Sequence, residues 1–362
     1  MGRHDGGLSS AVDVIAEFER RARDLLPEGA YDFFAGGAGA EDTVAANLSA
    51  WRELELRPHV LRDVSAVDLS VEVLGTRLRA PLMVAPTATH RLAHPDGELA
   101  TARAVAGTGS LFVISTRASA TLADIAAAAP AAPRWFQVYV MRDRGWTAEL
   151  AARARETGCS ALVLTVDAPI VGTKLRTSQA AFEIPDDIWM VNRTVERSAD
   201  ADSQDQDPSI GLEIIEWLHD VSGGLPVVVK GVLRGDDAKA CIEAGAAAIV
   251  VSNHGGRQLD GAVATARALP QVVHAAAGRA EVYVDGGLRR GVDILRALAL
   301  GARAVMIGRP ILWGLTCGGT DGVRAVLTGL DEQLREAAAL AGAVNVEQIT
   351  ADLVVSTARH PE

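Results

Sequence analysis

Cysteine is scarce: Cys159, Cys241 and Cys317 are the three in 362 residues, and no two form a CxxC pair. That excludes a disulfide framework and a zinc knuckle, gives no expectation of a metal, and suits a reducing cytoplasm. Aromatic residues make up 4% of the chain and apolar residues 49%, so the interior has to be built from Ala, Val, Leu and Ile. Basic residues are outnumbered, 35 against 46 acidic ones, and the formal charge of −11 argues against nucleic acid as a partner. No segment offers about 18 uninterrupted apolar residues, so no membrane span is expected. The opening MGRHDGGLSSAVDV lacks the charged-then-apolar pattern of an export signal, and the closing ARHPE lacks a peroxisomal tripeptide.

Short apolar runs do recur, separated by Ala-rich stretches of helical character. They are PLMVAP (81–86), SLFVIS (110–115), RWFQVYV (134–140), ALVLTV (161–166), LPVVVK (225–230), AAIVVS (247–252), EVYVDG (281–286) and RAVMIG (303–308). Continuous rather than alternating hydrophobicity predicts strands buried on both faces, and eight of them separated by helices predict an α/β fold, a closed TIM (β/α)8 barrel. A doubly wound open sheet is the rival, weakened because no GxGxxG follows the first strand. Several helix candidates, such as GELATARAVAGTG and TAELAARARETG, end in a glycine suited to a left-handed C-cap.

The expected organisation is a flexible N-terminus over 1–8 and one barrel domain over 9–362. Within it, residues 9–75 read as a helical segment with a strand pair at the barrel floor. The stretch 185–208, IPDDIWMVNRTVERSADADSQDQDP from its preceding isoleucine, reads as a mobile acidic loop or lid after strand four.

Barrel chemistry sits at the C-terminal strand ends, and polar residues collect there. The most informative stretch is VVSNHGGRQLDG, where Ser252, His254 and Arg257 leave one strand end together with two glycines. A base beside a cation suits proton removal next to a bound anion, although a Gly-rich polar turn has the same composition. VDGGLRRG and IGRP after the last two strands place Gly286, Gly287, Arg289, Gly308 and Arg309 as a phosphate cradle. Lys230 has two readings, a Schiff-base amine of a cofactor-free lyase or isomerase and a cation facing a cofactor ring. Thr87, Ser115, Gln137, Thr165 and Ser252 at the same mouth favour the ring, since they suit a flat, polar-edged group with a phosphate tail.

These motifs, with LPEGAYDFFAGGAG, LRPHVLRDVS, APTATHRLAHPDGELATARA, WFQVYV, LTVDAP, VVVKGV and LGARAVMIGRP, resemble the FMN-dependent 2-hydroxy acid oxidase and dehydrogenase family from about Leu26 to Ile349. The resemblance implies FMN as cofactor and oxidation of a 2-hydroxy acid to a 2-oxo acid. Lys230 would lie against the flavin N1 and C2 carbonyl edge. Pro86, Thr87, Ala88, Ser115, Gln137, Thr165 and Ser252 would hydrogen-bond the ring and ribityl parts, and Asp285, Gly287, Arg289, Gly308 and Arg309 the ribityl and phosphate end. His254 would take the 2-hydroxyl proton or, in the carbanion route, the 2-carbon proton, with Asp167 orienting it. Arg257 would bind the substrate carboxylate, and Tyr139 the carboxylate or developing oxyanion. Ala88 matches the oxidases near flavin N5 rather than the glycine of membrane-linked dehydrogenases, which implies O2 as acceptor with H2O2 as product. The resemblance also implies a homotetramer.

Departures fall on the substrate side. A family tyrosine that reaches the carboxylate aligns with Phe33, and a second carboxylate-binding arginine, seven residues after Asp167, aligns with Lys174. Arg176 is a candidate to compensate for Lys174, and Tyr31 is expected to point elsewhere. Arg117 stands where many relatives carry a pocket-lining aromatic, either meeting a polar substrate group or turning outward. Together these imply a substrate bulkier than glycolate, mandelate-like or a biosynthetic intermediate. They also leave open changed flavin chemistry, such as oxidative decarboxylation or amine oxidation.

Overall fold

The computed structural model describes residues 11–176, 182–185, 187–188, 191–192 and 206–356. Eight parallel strands close into a barrel: β4 (Leu82–Val84), β5 (Leu111–Ile114), β6 (Arg134–Val138), β7 (Leu162–Thr165), β8 (Val227–Val232), β9 (Ala248–Val251), β10 (Glu281–Val284) and β11 (Ala304–Ile307). Each falls on one of the eight apolar runs, and the open-sheet rival is excluded by the pairing of β11 with β4.

Alternate strand residues face inward, as parallel strands require. Met83, Leu111, Val113, Trp135, Val163, Val228, Val250, Tyr283 and Met306 fill the barrel interior. The intervening residues pack outward against the helices. The floor is sealed by the antiparallel hairpin β2 (Val71–Val73) and β3 (Thr76–Leu78), whose Val71, Val73 and Leu78 join the interior cluster. The expected C-cap appears at Gly109, with φ of +67°, and Gly158, Gly245 and Gly301 also have positive φ.

Before the barrel come α1 (Ala11–Leu25), α2 (Glu28–Ala35) and α3 (Asp42–Arg52), then β1 (Leu54–Leu56), which pairs with the C-terminal β12 (Val354–Ser356). The α2–α3 segment is latched to the loop after β9. Ala38 N–H donates to the Gly256 carbonyl at 2.8 Å, while Asp260 accepts from Ala40 and Thr43 N–H at 2.8 and 2.9 Å.

Residues 1–8, and most of the acidic stretch after strand four, lie outside the described residues. Two of its described residues have partners in the barrel. Asn192 is buried and accepts from Leu122 N–H at 3.0 Å, and Gln206 forms a bridge with Met141.

Candidate active site

The loop after β9 begins with Ser252, whose hydroxyl oxygen accepts from the Lys230 ammonium at 2.9 Å and from the His254 N–H at 3.1 Å. His254 has φ of +59°, followed by Gly255 at +64° and Gly256 at +78°. A left-handed conformation costs a non-glycine residue about 1–2 kcal/mol, so something has to hold it. Asn253 and Asn47 of α3 do so with reciprocal amide hydrogen bonds of 2.8 and 2.9 Å.

The strained turn delivers the imidazole into a cavity of about 330 Å³ at the strand ends. Its Nδ1 lies 2.8 Å from Asp167 Oδ1, and its Nε2 lies 3.5 Å from the Tyr139 hydroxyl. A carboxylate can only accept, so Nδ1 carries the proton and Nε2 offers its lone pair. Burial depresses the His254 pKa; Asp167 opposes this, and the Lys230 and Arg257 charges add to it, leaving the ring below its ordinary range. Burial pushes the Asp167 carboxyl up, but His254 and then Lys230 outweigh it and hold it below the usual range. The resting pair is therefore a neutral imidazole beside a carboxylate, with Nε2 available as a base.

Lys230 reaches the same cavity because β8 bulges after it. Gly231 has φ of +114°, and a Cβ there would stand 2.6 Å from Asp167 Cβ, so only glycine lets the ends of β7 and β8 approach. Lys230 Nζ lies 3.2 Å from Asp285 Oδ2. Burial would lower the Lys230 pKa, but Asp285 and Asp167 outweigh it and raise it. A Schiff-base lysine needs a deprotonated amine, so Lys230 is a fixed cation instead.

Beside it, Gly286 and Gly287 turn with φ of +91° and +83°. A Cβ on Gly287 would lie 2.1 Å from the Asn47 carbonyl oxygen, and the Gly286 carbonyl accepts from Trp51 Nε1 at 2.8 Å. Arg289 and Arg309 line the cavity here. Arg309 commits three N–H groups to the carbonyls of Phe34, Gly255 and Gly36 at 2.9–3.0 Å, and burial depresses its pKa to about 9. Two of its five N–H groups remain for a phosphate.

On the substrate side, Arg257 Nη1 donates to the Phe33 carbonyl at 2.8 Å and the Gly36 carbonyl at 2.7 Å, and its guanidinium lies 5.5 Å from the Phe33 ring centre. Arg117 lines the cavity and stacks over the Tyr139 ring at 5.3 Å, so it does not turn outward. Lys174 also lines it, with Nζ donating to the Gly172 carbonyl at 3.0 Å. Burial, then the Arg257 and Arg117 charges, lower its pKa to about 8. Arg176 does not compensate for Lys174: it pairs with Glu41 at 2.5 Å and Asp32 at 3.5 Å. Tyr31 stacks on Trp313 at 5.3 Å and is not part of the cavity wall.

Most of the expected site residues line this one cavity, including Pro86, Thr87, Ala88, Ser115 and Gly308. Gln137, Thr165, Asp167 and Ser252 stand behind the wall instead. Gln137 Nε2 donates to Thr165 Oγ1 at 3.1 Å, and the Ser115 hydroxyl donates to Gln137 Oε1 at 3.3 Å, so Gln137 and Thr165 brace Ser115. Sequence reasoning missed several supports. His90 is buried, with Nε2 at 2.6 Å from Thr87 Oγ1 and Nδ1 at 3.0 Å from Thr101 Oγ1. Gln258 donates to the Asp167 and Ile170 carbonyls at 3.2 and 3.1 Å and accepts from Gly172 N–H at 3.0 Å, tying the loop after β7 to the loop after β9.

A barrel whose mouth joins a poised base to an arginine-and-glycine cradle defines a barrel enzyme built for a phosphate-bearing cofactor. The chain belongs to the FMN-dependent dehydrogenase family, whose pattern matches residues 22–356. It is 43% identical to human 2-hydroxyacid oxidase 1, covering 94% of this chain and 95% of that protein. It is likewise 43% identical to an L-lactate oxidase from Nostoc sp., over 94% and 97% of the two chains, and to a 4-hydroxymandelate oxidase from Amycolatopsis orientalis, over 92% and 95%. A crystal structure of mandelate oxidase superposes with a TM-score of 0.88 at 42% identity, covering 94% of this chain and 97% of that one.

The residues present fit FMN. Asp285 Oδ1 is buried without a hydrogen-bond partner, as an acceptor waiting for a ribityl hydroxyl would be. Lys230 supplies fixed positive charge for the ring, and the second glycine turn leaves backbone and arginine donors for the phosphate.

Proposed function

We propose that the protein oxidises a 2-hydroxy acid larger than glycolate to the corresponding 2-oxo acid, with O2 as the final acceptor. FMN, when bound, supplies the two-electron acceptor, and O2 takes the electron pair and two protons to give H2O2. The observation that carries the reading is the His254–Asp167 pair, with Nε2 turned into the cavity that Arg257 also lines.

His254 Nε2 takes one proton from the substrate, from the hydroxyl or from the 2-carbon, as an electron pair leaves that carbon. Asp167 keeps Nδ1 protonated and stabilises the imidazolium that forms. Arg257 fixes the carboxylate, and the Tyr139 hydroxyl sits where it can donate to the carboxylate or to the oxygen becoming the carbonyl. Phe33 presents a ring without a hydroxyl and Lys174 a point charge, so carboxylate binding is less rigid than with a tyrosine and an arginine. The mandelate oxidase neighbours and Ala88 support a bulky substrate and O2 as acceptor. A homotetramer in the cytoplasm completes the proposal, supported by the family resemblance and by three cysteines that form no disulfide.

Purified protein should be yellow and bleach anaerobically with the right 2-hydroxy acid, then release one peroxide per 2-oxo acid in air. Colourless protein that cannot be reconstituted with FMN overturns the proposal. Release of carbon dioxide or ammonia would replace it with changed chemistry on the same site. Rapid glycolate turnover would sink the bulky-substrate part.

A further inference from the structure

Thr87 follows β4 and lines the cavity between Pro86 and Ala88. Behind it lies His90, fully buried. The chain turns between them at Thr89, whose φ of +52° is a left-handed conformation that a β-branched residue adopts only when held. Glu98 holds it: its fully buried carboxylate accepts from His90 N–H at 3.0 Å and from the Ser119 N–H and hydroxyl at 2.8 and 2.7 Å. The imidazole is thereby fixed between two hydroxyls, with Nε2 at 2.6 Å from Thr87 Oγ1 and Nδ1 at 3.0 Å from Thr101 Oγ1. Burial lowers the His90 pKa against the opposing Glu98 charge and Thr87 carbonyl, so the ring is neutral and carries one proton.

Proton counting fixes the direction of both bonds. Thr101 is fully buried, and among the described residues its hydroxyl meets no acceptor other than His90 Nδ1. A buried O–H without an acceptor is costly, so Thr101 donates to Nδ1. The ring proton therefore sits on Nε2, which donates to Thr87 Oγ1. Among the described residues nothing else bonds the Thr87 hydroxyl, so its own proton is left for the cavity. We propose that His90 is a positioning residue for the cofactor: it holds the Thr87 hydroxyl as a hydrogen-bond donor toward the flavin ring. A donor there stabilises the negative charge that the ring gains on reduction, so bound FMN is easier to reduce. Lys230 ends β8, four strands round the barrel from β4, so the two residues act from opposite sides of the mouth.

The test is the midpoint potential of FMN bound to the full chain, measured by dye equilibration without substrate, so it stands whichever 2-hydroxy acid is oxidised. Thr87→Val should weaken the preference of the site for reduced over oxidised FMN about threefold to tenfold, the size of one hydrogen bond. For a two-electron couple that is a fall of about 15 to 30 mV. His90→Leu, or His90→Met should the first not fold, should lower the potential by a similar amount. His90→Gln should keep the wild-type value, because its amide can accept from Thr101 and donate to Thr87. Adding His90→Leu or His90→Met to Thr87→Val should lower the potential no further, since His90 acts through Thr87. A wild-type potential in Thr87→Val overturns the proposal, as does a further fall in the double variant or a His90→Gln value as low as that of His90→Leu. If His90→Leu or His90→Met loses Tm or FMN retention while its potential stays at the wild-type value, His90 is a structural residue only and the proposal fails.

Discussion

Replacing Lys174 with methionine probes how substrate carboxylate is held, and its effect can be worked out from the site. The Lys174 ammonium has a pKa of about 8 instead of the ordinary 10.5, because burial and then Arg257 and Arg117 disfavour its charge. At pH 9 only about one-tenth of the free enzyme therefore keeps that proton, and each further pH unit removes roughly another factor of ten. A hydrogen bond to a charged group contributes about 1.5–3 kcal/mol, so losing it lowers kcat/KM by roughly tenfold to a hundredfold.

The pH dependence has a definite direction on each side. His254 acts only when neutral, so activity falls as pH drops through a pKa below its ordinary 6.5. In the proposed reaction Lys174 holds the carboxylate only when charged, so kcat/KM should fall as pH rises through about 8. A bound carboxylate raises the Lys174 pKa, which moves the alkaline limb of kcat to higher pH than that of kcat/KM. Initial rates of oxygen consumption from about pH 5 to about pH 10, at constant ionic strength, measure both profiles. Lys174→Met should lower kcat/KM at pH 7 and flatten the alkaline limb. Lys174→Arg should restore binding and carry the limb beyond the range, since guanidinium stays charged. An unchanged alkaline limb in Lys174→Met would refute the assignment.

Three further outcomes follow from the geometry. His254→Ala should retain flavin absorbance but lose about 10²–10⁴ of the rate of anaerobic flavin reduction by substrate, the range expected for a general base; retained rate would remove His254 from the chemistry. Gly287→Ala places a Cβ 2.1 Å from the Asn47 carbonyl oxygen at a φ of +83°, so Tm and the fraction of FMN retained after gel filtration should both fall. Normal values for both would mean that α3 does not pack against the glycine turn as described. Lys230→Met leaves Asp285 buried without its cation; denaturant titration of the FMN-free protein should show a loss of about 3–5 kcal/mol, and no loss would mean that the pair is not formed.

The barrel was legible because a parallel strand covered on both faces has to be an uninterrupted apolar run. Its boundaries moved where backbone geometry intervened: β8 continues to Val232 because the bulge at Gly231 carries pairing past Lys230. His254, Arg257 and Lys230 were legible as polar residues ending such runs. Their supports were not. Asn47 and Asn253 are 206 positions apart, and neither shows a local pattern that foretells an amide pair. The groups that position Arg257 and Arg309 are the carbonyls of Phe33, Phe34, Gly36 and Gly255, and a backbone carbonyl carries no sequence signature. Arg309 thus read as a phosphate ligand alone, although it also pins the N-terminal segment to the loop after β9.

That pinning explains why the cofactor half of the site could be read from the chain more fully than the substrate half. Lys230 on β8 and Asp285 after β10 come from strands that both pair with β9 in a closed barrel, so their spacing is fixed by strand pairing and the family pattern transfers with it. The substrate wall is assembled from α2, the loops after β5 and β7, and the loop after β9, held together by Arg257, Arg309, Gln258 and the Asn47–Asn253 pair. Phe33 serves it twice, since its carbonyl fixes Arg257 while its ring lines the cavity. The carbonyl contact depends on the backbone alone, so the side chain at this position can change without disturbing Arg257. The cavity wall can therefore change at Phe33, Arg117 and Lys174 while the His254–Asp167 and Lys230–Asp285 pairs stay as they are.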